Sequence, residues 1–269
     1  MGLFDDYEAL VRPFFDDLET RVAELEARIA ELEAPAAGPT VIYETSFGSN
    51  DGWSSLDQRK NHDDSRTLPA NVFFGWGGVI LKAKREQTGS GTTLREFTSA
   101  DIQGRHVTVP NYFRAEVRAQ LPVAKGLRPC PLWFRPLNSN DGEIDIVEAF
   151  GDANYGKATL HSEYSNRKMI GKTLQWPRGK GQEYTYVIEK TPNRIHITID
   201  GQTLMDVGPQ TNPDFPWERI FETADRTWYP RISIEVGCGN NPGCSTGTPE
   251  ASFTSADLWV RSLKISTVS

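Results

Sequence analysis

The sequence predicts an all-β protein, an antiparallel two-sheet β-sandwich preceded by a short N-terminal α-helical coiled coil. The prediction rests on a run of heptads near the N-terminus, on short alternating stretches after residue 40, and on a composition of 23 Gly, 17 Pro and 10% aromatic residues in a chain of 269. Such a composition is typical of short strands joined by turns. We divide the chain into a stalk (1–34), an Ala/Pro/Gly linker (35–40) and a β-sandwich domain (41–269).

The stalk repeats in heptads, and its apolar residues alternate by four and three: Val11, Phe15, Leu18, Val22, Leu25, Ile29 and Leu32. This spacing predicts a coiled-coil seam. Arg21 and Arg28 flank the seam at g positions, and Glu26 and Glu33 flank it at e positions. A parallel assembly therefore pairs opposite charges, whereas an antiparallel assembly opposes like charges.

The number of chains in the stalk is indicated by the stretches RVAELE (21–26) and RIAELE (28–33). Each resembles a motif of parallel three-stranded coiled coils, namely Arg, apolar, two free positions, apolar and Glu. The β-branched a and Leu d residues alone favour a dimer, but the doubled motif makes a parallel homotrimer our prediction. The alternative is one amphipathic helix packed on its own domain. Pro35 ends the helix and starts the spacer.

Alternating stretches predict the strands of the sandwich. In FRAEVRAQL (113–121), RIHITIDG (194–201) and PRISIEVG (230–237), apolar residues occupy every second position. This is the period of a strand with one buried face. Many short strands of this kind with polar turns are typical of two packed antiparallel sheets. We expect His196 on a solvent-facing side.

Charge and hydropathy exclude several classes of partner. The stalk holds ten acids and three bases, which leaves 26 of each in the remainder of the chain. A neutral body argues against a nucleic-acid partner. No run of eighteen apolar residues exists, so we expect no membrane span. The start, MGLFDDYEALVRPFF, lacks the basic and apolar regions of a signal peptide.

The three cysteines, Cys130, Cys238 and Cys244, do not form a disulfide framework. The loop CGNNPGC (238–244) can close as a small disulfide in an oxidising setting, and two free thiols on a turn-rich loop are the alternative. Nothing in their spacing is typical of a metal site.

The stretch NDGEIDIVEAFGD (140–152) places Glu143, Asp145 and Glu148 among Val and Ile residues. Like charges at this spacing cost stability unless they serve a purpose. In a regular strand Glu143 and Asp145 share a face, and Glu148 points to the other. One extra residue in a β-bulge returns Glu148 to the same face. We therefore predict a bulged strand with its carboxylates in one row, at about the separation that retaining glycosidases use.

This stretch resembles the active-site strand of glycoside hydrolase family 16 in its bulged, laminarinase-like form. The resemblance extends over most of residues 41–266, through FRAEVRAQLPVAKGLRPCPLWF, ATLH, EYTYVIEKTPNRIHITIDGQ and ADLWVRSLKI. It implies a concanavalin-like jelly roll and a retaining endo-glycosidase that acts on a β-linked polysaccharide. Two positions depart from the family: Lys190, where Trp is usual, and Arg128, where an aromatic residue is common.

The resemblance also implies the catalytic roles. Glu143 is expected to be the nucleophile and Glu148 the general acid/base, with Asp145 holding and tuning the pair. Because a row of carboxylates cannot be fully ionised cheaply, one member keeps a proton near neutral pH. That proton can be donated to a leaving oxygen.

Substrate contacts and cofactors follow from the same resemblance. Trp133 is expected to stack on a pyranose ring, and His161 to contact the substrate near the scissile bond. Trp228 and Trp217 are further candidates, although Trp is also a common core anchor. No cofactor is required for this chemistry and no catalytic metal is expected. A structural Ca²⁺ occurs often in the family, and Asp257 falls near a usual ligand position.

The architecture as a whole resembles a bacteriophage tail or fibre component. We therefore expect a virion protein that acts outside the cell on a host envelope glycan, with its N-terminus docked on other tail proteins. One alternative is a non-catalytic, lectin-like receptor-binding module on the same fold, for which the carboxylate row has no purpose. A structural virion spacer would explain only the stalk.

Overall fold

The computed structural model describes residues 12, 17–26, 38–59, 63–75, 77–163, 167–223, 225–238 and 246–268. The chain forms two compact units. One is Met1–Gly38 together with Ser269, and the other is Pro39–Val268. The division between them falls inside the predicted linker.

In the first unit, residues 17–26 are helical. Leu18, Val22 and Leu25 are three of the predicted seam residues, and they are exposed by 44%, 47% and 57%. The other seam residues lie outside the described part of the chain, so the coiled coil stays a prediction. Within the described residues, no helix is both long enough and apolar enough to cross a membrane.

The second unit is built from strands. In chain order the described strands are β1 (Val41–Thr45), β2 (Ser54–Ser55), β3 (Gln58–Arg59), β4 (Ser65–Thr67), β5 (Val72–Phe74), β6 (Val79–Thr88), β7 (Arg95–Gln103), β8 (Phe113–Gln120), β9 (Leu127–Pro136), β10 (Glu143–Ala149), β11 (Tyr155–His161), β12 (Met169–Gln175), β13 (Glu183–Thr191), β14 (Arg194–Ile199), β15 (Gln202–Val207), β16 (Trp228–Val236) and β17 (Ser255–Ser266). A short α-helix (Trp217–Phe221) and two 3₁₀ turns (Pro69–Asn71 and Gly91–Thr93) lie between strands.

The strands form two layers. In the first, the order is β15-β14-β13-β8-β17, and β6 and β1 share the far edge of β17. In the second, the order is β12-β11-β10-β9-β16-β7-β2. Strand β7 also pairs with β6 and so joins the layers. All these pairings are antiparallel, as predicted; among the described strands, the one parallel pair is β4 with β7.

The core lies between the layers because each central strand buries alternate residues. On β8 the predicted apolar face is fully buried, from Phe113 to Ala119. The ring of Phe113 meets the ring of Phe134 on β9, with 4.7 Å between the ring centres, which links the two sheets. The predicted turn after β14 is present: Asp200 and Gly201 have φ of 46° and 78°, the left-handed region that Asp and Gly tolerate in tight turns.

The strand predicted at 230–237 is also present, as part of β16. Its Ile232, Ile234 and Val236 face the core. The polar residues opposite them, Ser233 and Glu235, are also buried, at 4% and 7% exposure. The polar residues of β16 are therefore covered by other parts of the protein and do not face open solvent.

Lys190 is a charged residue within this core. Its side chain is fully buried, its Nζ donates to the Phe221 carbonyl at 2.8 Å, and its ammonium lies 4.7 Å from the centre of the Tyr112 ring. Burial lowers the pKa of Lys190 to about 8. The contact fastens the C-terminal end of the short helix to β13.

The cysteines differ in state. Cys130 is free and buried, whereas Cys238 is disulfide-bonded. Cys244 lies outside the described residues.

Candidate active site

A bulge in β10 brings the three carboxylates to one face. Asp145 pairs with Thr159 on β11, and Glu148 pairs with Lys157, so three steps along β10 match two steps along β11. The extra residue returns Glu148 to the side that Glu143 and Asp145 occupy. The bulge predicted from the sequence is confirmed.

A second bulge lies on the neighbouring strand β9. Trp133 pairs with Arg231 on β16, and Cys130 pairs with Ser233, so three steps on β9 match two on β16. Strand β9 therefore shifts in step with β10. The shift places Arg128, five residues before Trp133, beside Glu148. This bulge was not predicted from the sequence, although two closely spaced prolines, at positions 129 and 131, are a signal for irregular pairing.

His161 completes the carboxylate row from β11. It pairs with Glu143 across the two strands. Its Nε2 lies 3.0 Å from Asp145 Oδ2 and 3.6 Å from Glu143 Oε1. The side chains of all three residues are at least 88% buried. Burial lowers the pKa of His161 to about 4, so the ring is neutral at neutral pH.

Two arginines hold Glu143. Arg135, two residues after Trp133 on β9, donates to Glu143 Oε2 at 3.1 Å. Arg167, on the loop after β11, donates to Oε1 at 3.2 Å. Burial raises the pKa of Glu143, but these positive charges, with His161 whenever it is protonated, outweigh burial and hold the pKa below its ordinary value. Glu143 is therefore ionised at neutral pH, as a nucleophile must be.

Glu148 has the opposite surroundings. Burial, followed by the charge of Asp145, raises the pKa of Glu148 to about 7. Arg128 opposes this rise, with its Nε 4.0 Å from Glu148 Oε1, but it also binds Glu235. Thr159 Oγ1 lies 3.5 Å from the other oxygen of Glu148. Glu148 can therefore carry a proton near neutral pH and release it.

Asp145 is the most buried member of the row. Burial and the adjacent charge of Glu143 raise the pKa of Asp145 well above its ordinary value. The neutral ring of His161 and the carboxyl of Asp145 lie between the two glutamates, and the raised pKa of Asp145 opposes a second negative charge next to Glu143. The row thus separates an ionised carboxylate from a protonated one, which is the division of labour that acid–base chemistry needs.

Trp133 lies half-buried beside the row, directly across from Asp145. The guanidinium of Arg231 lies 4.0 Å from the centre of its ring, and Arg231 is held by Asp101 at 2.6 Å. One surface of the indole is therefore covered, and a sugar has only the remaining part of the ring to stack on.

Trp228 and Trp217, the other two aromatic candidates, are core residues. Trp228 is 0% and Trp217 3% exposed. Their indole N–H groups donate to Asn111 Oδ1 at 3.1 Å and to Glu222 Oε1 at 3.0 Å. Neither presents a surface to a sugar in this structure, which corrects the expectation that they bind substrate.

Asp257, the residue predicted near a structural Ca²⁺, forms an ion pair with Lys82 at 2.8 Å. Among the described residues, the one group of three acidic, His or Cys side chains able to converge on an ion is Glu143, Asp145 and His161. Asp257 is outside that group.

The comparisons with known proteins agree with this geometry at the level of the fold. A curated beta-glucanase from Rhodothermus marinus is 29% identical over an alignment of 189 residues, and the match covers 64% of this chain. The matched region spans 63% of that relative. No family model matches the chain.

Solved structures resemble the chain over most of its length. The laminarinase catalytic domain from Thermotoga maritima has a TM-score of 0.74 at 18% identity, covering 87% of this chain and 100% of that one. The endo-beta-1,3-glucanase from Pyrococcus furiosus has a TM-score of 0.71 at 20% identity, covering 85% and 94%. A family 16 endo-glucanase from Bacteroides ovatus has a TM-score of 0.65 at 18% identity, covering 83% and 99%. The chain has the fold of these glucanase catalytic domains.

Proposed function

We propose that the β-sandwich is a retaining endo-glycosidase that cleaves a β-linked polysaccharide. The observation that carries this proposal is the bulged carboxylate row, in which two arginines bind Glu143 and lower its pKa, while burial raises the pKa of Glu148 to about 7. A retaining glycosidase needs these two states on one face of one cleft.

In the first step, Glu143 attacks the anomeric carbon and Glu148 protonates the departing glycosidic oxygen. The glycosidic C–O bond breaks and an ester to Glu143 forms. In the second step, Glu148, now ionised, takes a proton from water. The water oxygen attacks the same carbon, and Glu143 leaves with its charge restored.

Asp145 and His161 support the change of charge on Glu143. When Glu143 becomes an ester, its attraction for the nearby arginines falls, and the polar neighbours must hold their positions. The 3.0 Å contact between His161 Nε2 and Asp145 Oδ2 fixes both side chains beside the nucleophile. Such fixed surroundings lower the cost of reorganisation during the reaction.

We propose a β-glucan or a related β-linked glycan of a cell envelope as the substrate. The proposal is supported by the beta-glucanase relative and by the glucanases that share the fold. Arg231 covers part of the Trp133 ring, which restricts how a sugar can stack there and so helps to select the sugar.

We also propose that residues 1–34 form a parallel homotrimeric stalk. The exposed apolar side chains of residues 17–26 support this, because a lone helix leaves them in water. The location on a phage tail, with other tail proteins as partners, is a proposal that rests on the architecture of stalk and domain.

The lectin-like alternative shares the fold and the aromatic side chain at the cleft. It gives no reason for keeping three carboxylates and Arg135 buried together, since buried charges are costly unless function requires them. One substitution, Glu143→Gln, distinguishes the lectin-like alternative from the enzyme.

The test is a reducing-end assay on purified protein with a panel of β-glucans, galactans and extracted cell-wall polysaccharides. The protein is compared with Glu143→Gln and with Glu44→Gln, a surface control 60% exposed. We expect the unmodified protein and the control to release oligosaccharides, and Glu143→Gln to lose more than about 1,000-fold in rate while it still binds. Binding by all three proteins without any release of sugar would establish the lectin instead.

A further inference from the structure

Arg167 contacts the carboxylate row from outside the catalytic strands. It lies on the loop between β11 and β12, and 43% of its side chain is exposed. Its Nε donates to His161 Nδ1 at 2.9 Å, and its Nη2 donates to Glu143 Oε1 at 3.2 Å. One guanidinium thus bridges the histidine and the candidate nucleophile.

The bond to His161 determines where that ring carries its proton. A guanidinium has only N–H donors, so the Nδ1 that it binds must be an acceptor. In the neutral ring the proton is therefore on Nε2. Nε2 faces Asp145 Oδ2 at 3.0 Å, so His161 donates to Asp145.

We propose that Arg167 is a positioning residue that fixes His161 as the Nε2–H tautomer and thereby keeps Asp145 and Glu143 in their working arrangement. This inference rests on the proposed function for its catalytic consequence, but the tautomer itself does not depend on any activity. Arg167 acts through His161 on Asp145 and directly on Glu143.

The charged and titratable groups around His161 come from several elements. They are Glu143, Asp145 and Glu148 on β10, Arg135 on β9, Lys157 on β11 and Arg167 on the following loop. Without Arg167, Nδ1 loses its donor and becomes free to take the proton. Nε2 would then be an acceptor, and Asp145 would lose its hydrogen bond from the ring.

Arg135 provides the matched comparison. It binds the other oxygen of Glu143, Oε2, at 3.1 Å and the Asn140 carbonyl at 2.9 Å. Removing Arg135 should therefore raise the pKa of Glu143 and leave the His161 tautomer unchanged. Removing Arg167 should change both the pKa of Glu143 and the His161 tautomer.

The experiment is ¹⁵N NMR of the histidine ring nitrogens in the full chain, with His161 assigned by its loss in His161→Gln. The proteins compared are unmodified, Arg167→Gln, Arg167→Lys and Arg135→Gln, and each is checked for folding by its thermal transition. We expect Nε2–H with an unprotonated Nδ1 in the unmodified protein and in Arg135→Gln. We expect a mixture of tautomers or the Nδ1–H form in Arg167→Gln. An unchanged His161 tautomer in folded Arg167→Gln overturns the proposal.

The catalytic consequence is read from the pH profile of kcat/KM. Arg167→Gln should lower kcat/KM by about 10- to 100-fold and move the acidic limb to higher pH, since Glu143 loses a charged hydrogen bond. Arg167→Lys keeps the positive charge but lacks the planar guanidinium. Its acidic limb should therefore lie close to that of the unmodified protein, whereas its His161 tautomer should be restored less fully. An unshifted acidic limb in Arg167→Gln contradicts the role in catalysis. If no glycan is cleaved by any variant, the proposed function fails while the NMR result still decides the tautomer.

Discussion

The Nε of Arg128 lies 4.0 Å from Glu148 Oε1, close enough to attract the carboxylate but too far for a hydrogen bond. Arg128 also binds Glu235, so much of its charge is already balanced. Glu143, only five residues away along the chain, accepts hydrogen bonds from two arginines. Because Glu143 has more positive charge close to it than Glu148, the pKa of Glu143 is lower than that of Glu148.

A bell-shaped pH profile of kcat/KM follows from that difference. Activity needs Glu148 protonated, so it should fall as pH rises through about 7, the pKa of Glu148. Activity also needs Glu143 ionised, so it should fall only below the ordinary glutamate pKa of 4.5, because the pKa of Glu143 is lowered. Initial rates on a soluble glycan across the pH range test this. If the basic limb disappears in Glu148→Gln, that limb belongs to Glu148. If it remains, the assignment is contradicted.

Replacing Arg128 by Gln should move the basic limb to higher pH. A positive charge that lowers the pKa of Glu148 is lost, so burial and the charge of Asp145 raise that pKa further. Glu235 also loses a partner in a poorly hydrated place, and we expect folding to be weakened by about 1–3 kcal/mol. The double variant Arg128→Gln/Glu235→Gln should recover part of that stability with the limb still shifted. A basic limb that stays in place in both variants is evidence against a role for Arg128.

Lys190 gives a pH dependence of stability that is separate from the active site. The folded-state pKa is about 8, below the ordinary 10.5. The unfolded chain therefore binds more protons between these values, and stability should rise with pH through the window, by on the order of 2 kcal/mol between pH 7.5 and 9.5. The free energy of unfolding of Lys190→Met serves as the reference. Equal pH slopes in the two proteins would show that Lys190 is not deprotonated in the fold.

The stalk is tested by Val22→Asp/Leu25→Asp on the exposed apolar face of residues 17–26. Charges in a seam repel one another across the assembly, so the variant should dissociate. Light scattering after size-exclusion chromatography should give the mass of three chains for the unmodified protein and of one for the variant. The surface variant Glu24→Gln should remain assembled. A single-chain mass for the unmodified protein rules out the stalk as proposed.

The sequence predicted the layers and the carboxylate row because both depend on local periodicity. The alternation on β8 showed its buried face, and the spacing of Glu143, Asp145 and Glu148 required a bulge that the register of β10 and β11 confirms. These features are read from neighbouring residues in one strand.

Features that depend on contacts between distant segments were not predicted. Arg167 binds Glu143 from a loop 24 residues away, and Arg128 meets Glu235 across 107 residues. No period or motif marks such contacts. The burial of Trp228, in contrast, has a local signal, because its position is in step with the core-facing apolar residues of β16.

The role of Glu143 as the nucleophile is tested most directly by mass spectrometry of Glu148→Gln after brief reaction with an aryl β-glycoside that has a good leaving group. Such a substrate does not need the acid for its first step, so the glycosyl-enzyme should accumulate when Glu148 cannot activate water. The account predicts one added glycosyl mass on the peptide that contains Glu143, and none in Glu143→Gln/Glu148→Gln. A sugar attached to a different carboxylate, or turnover with inversion at the anomeric carbon, would contradict Glu143 as the nucleophile of a retaining enzyme.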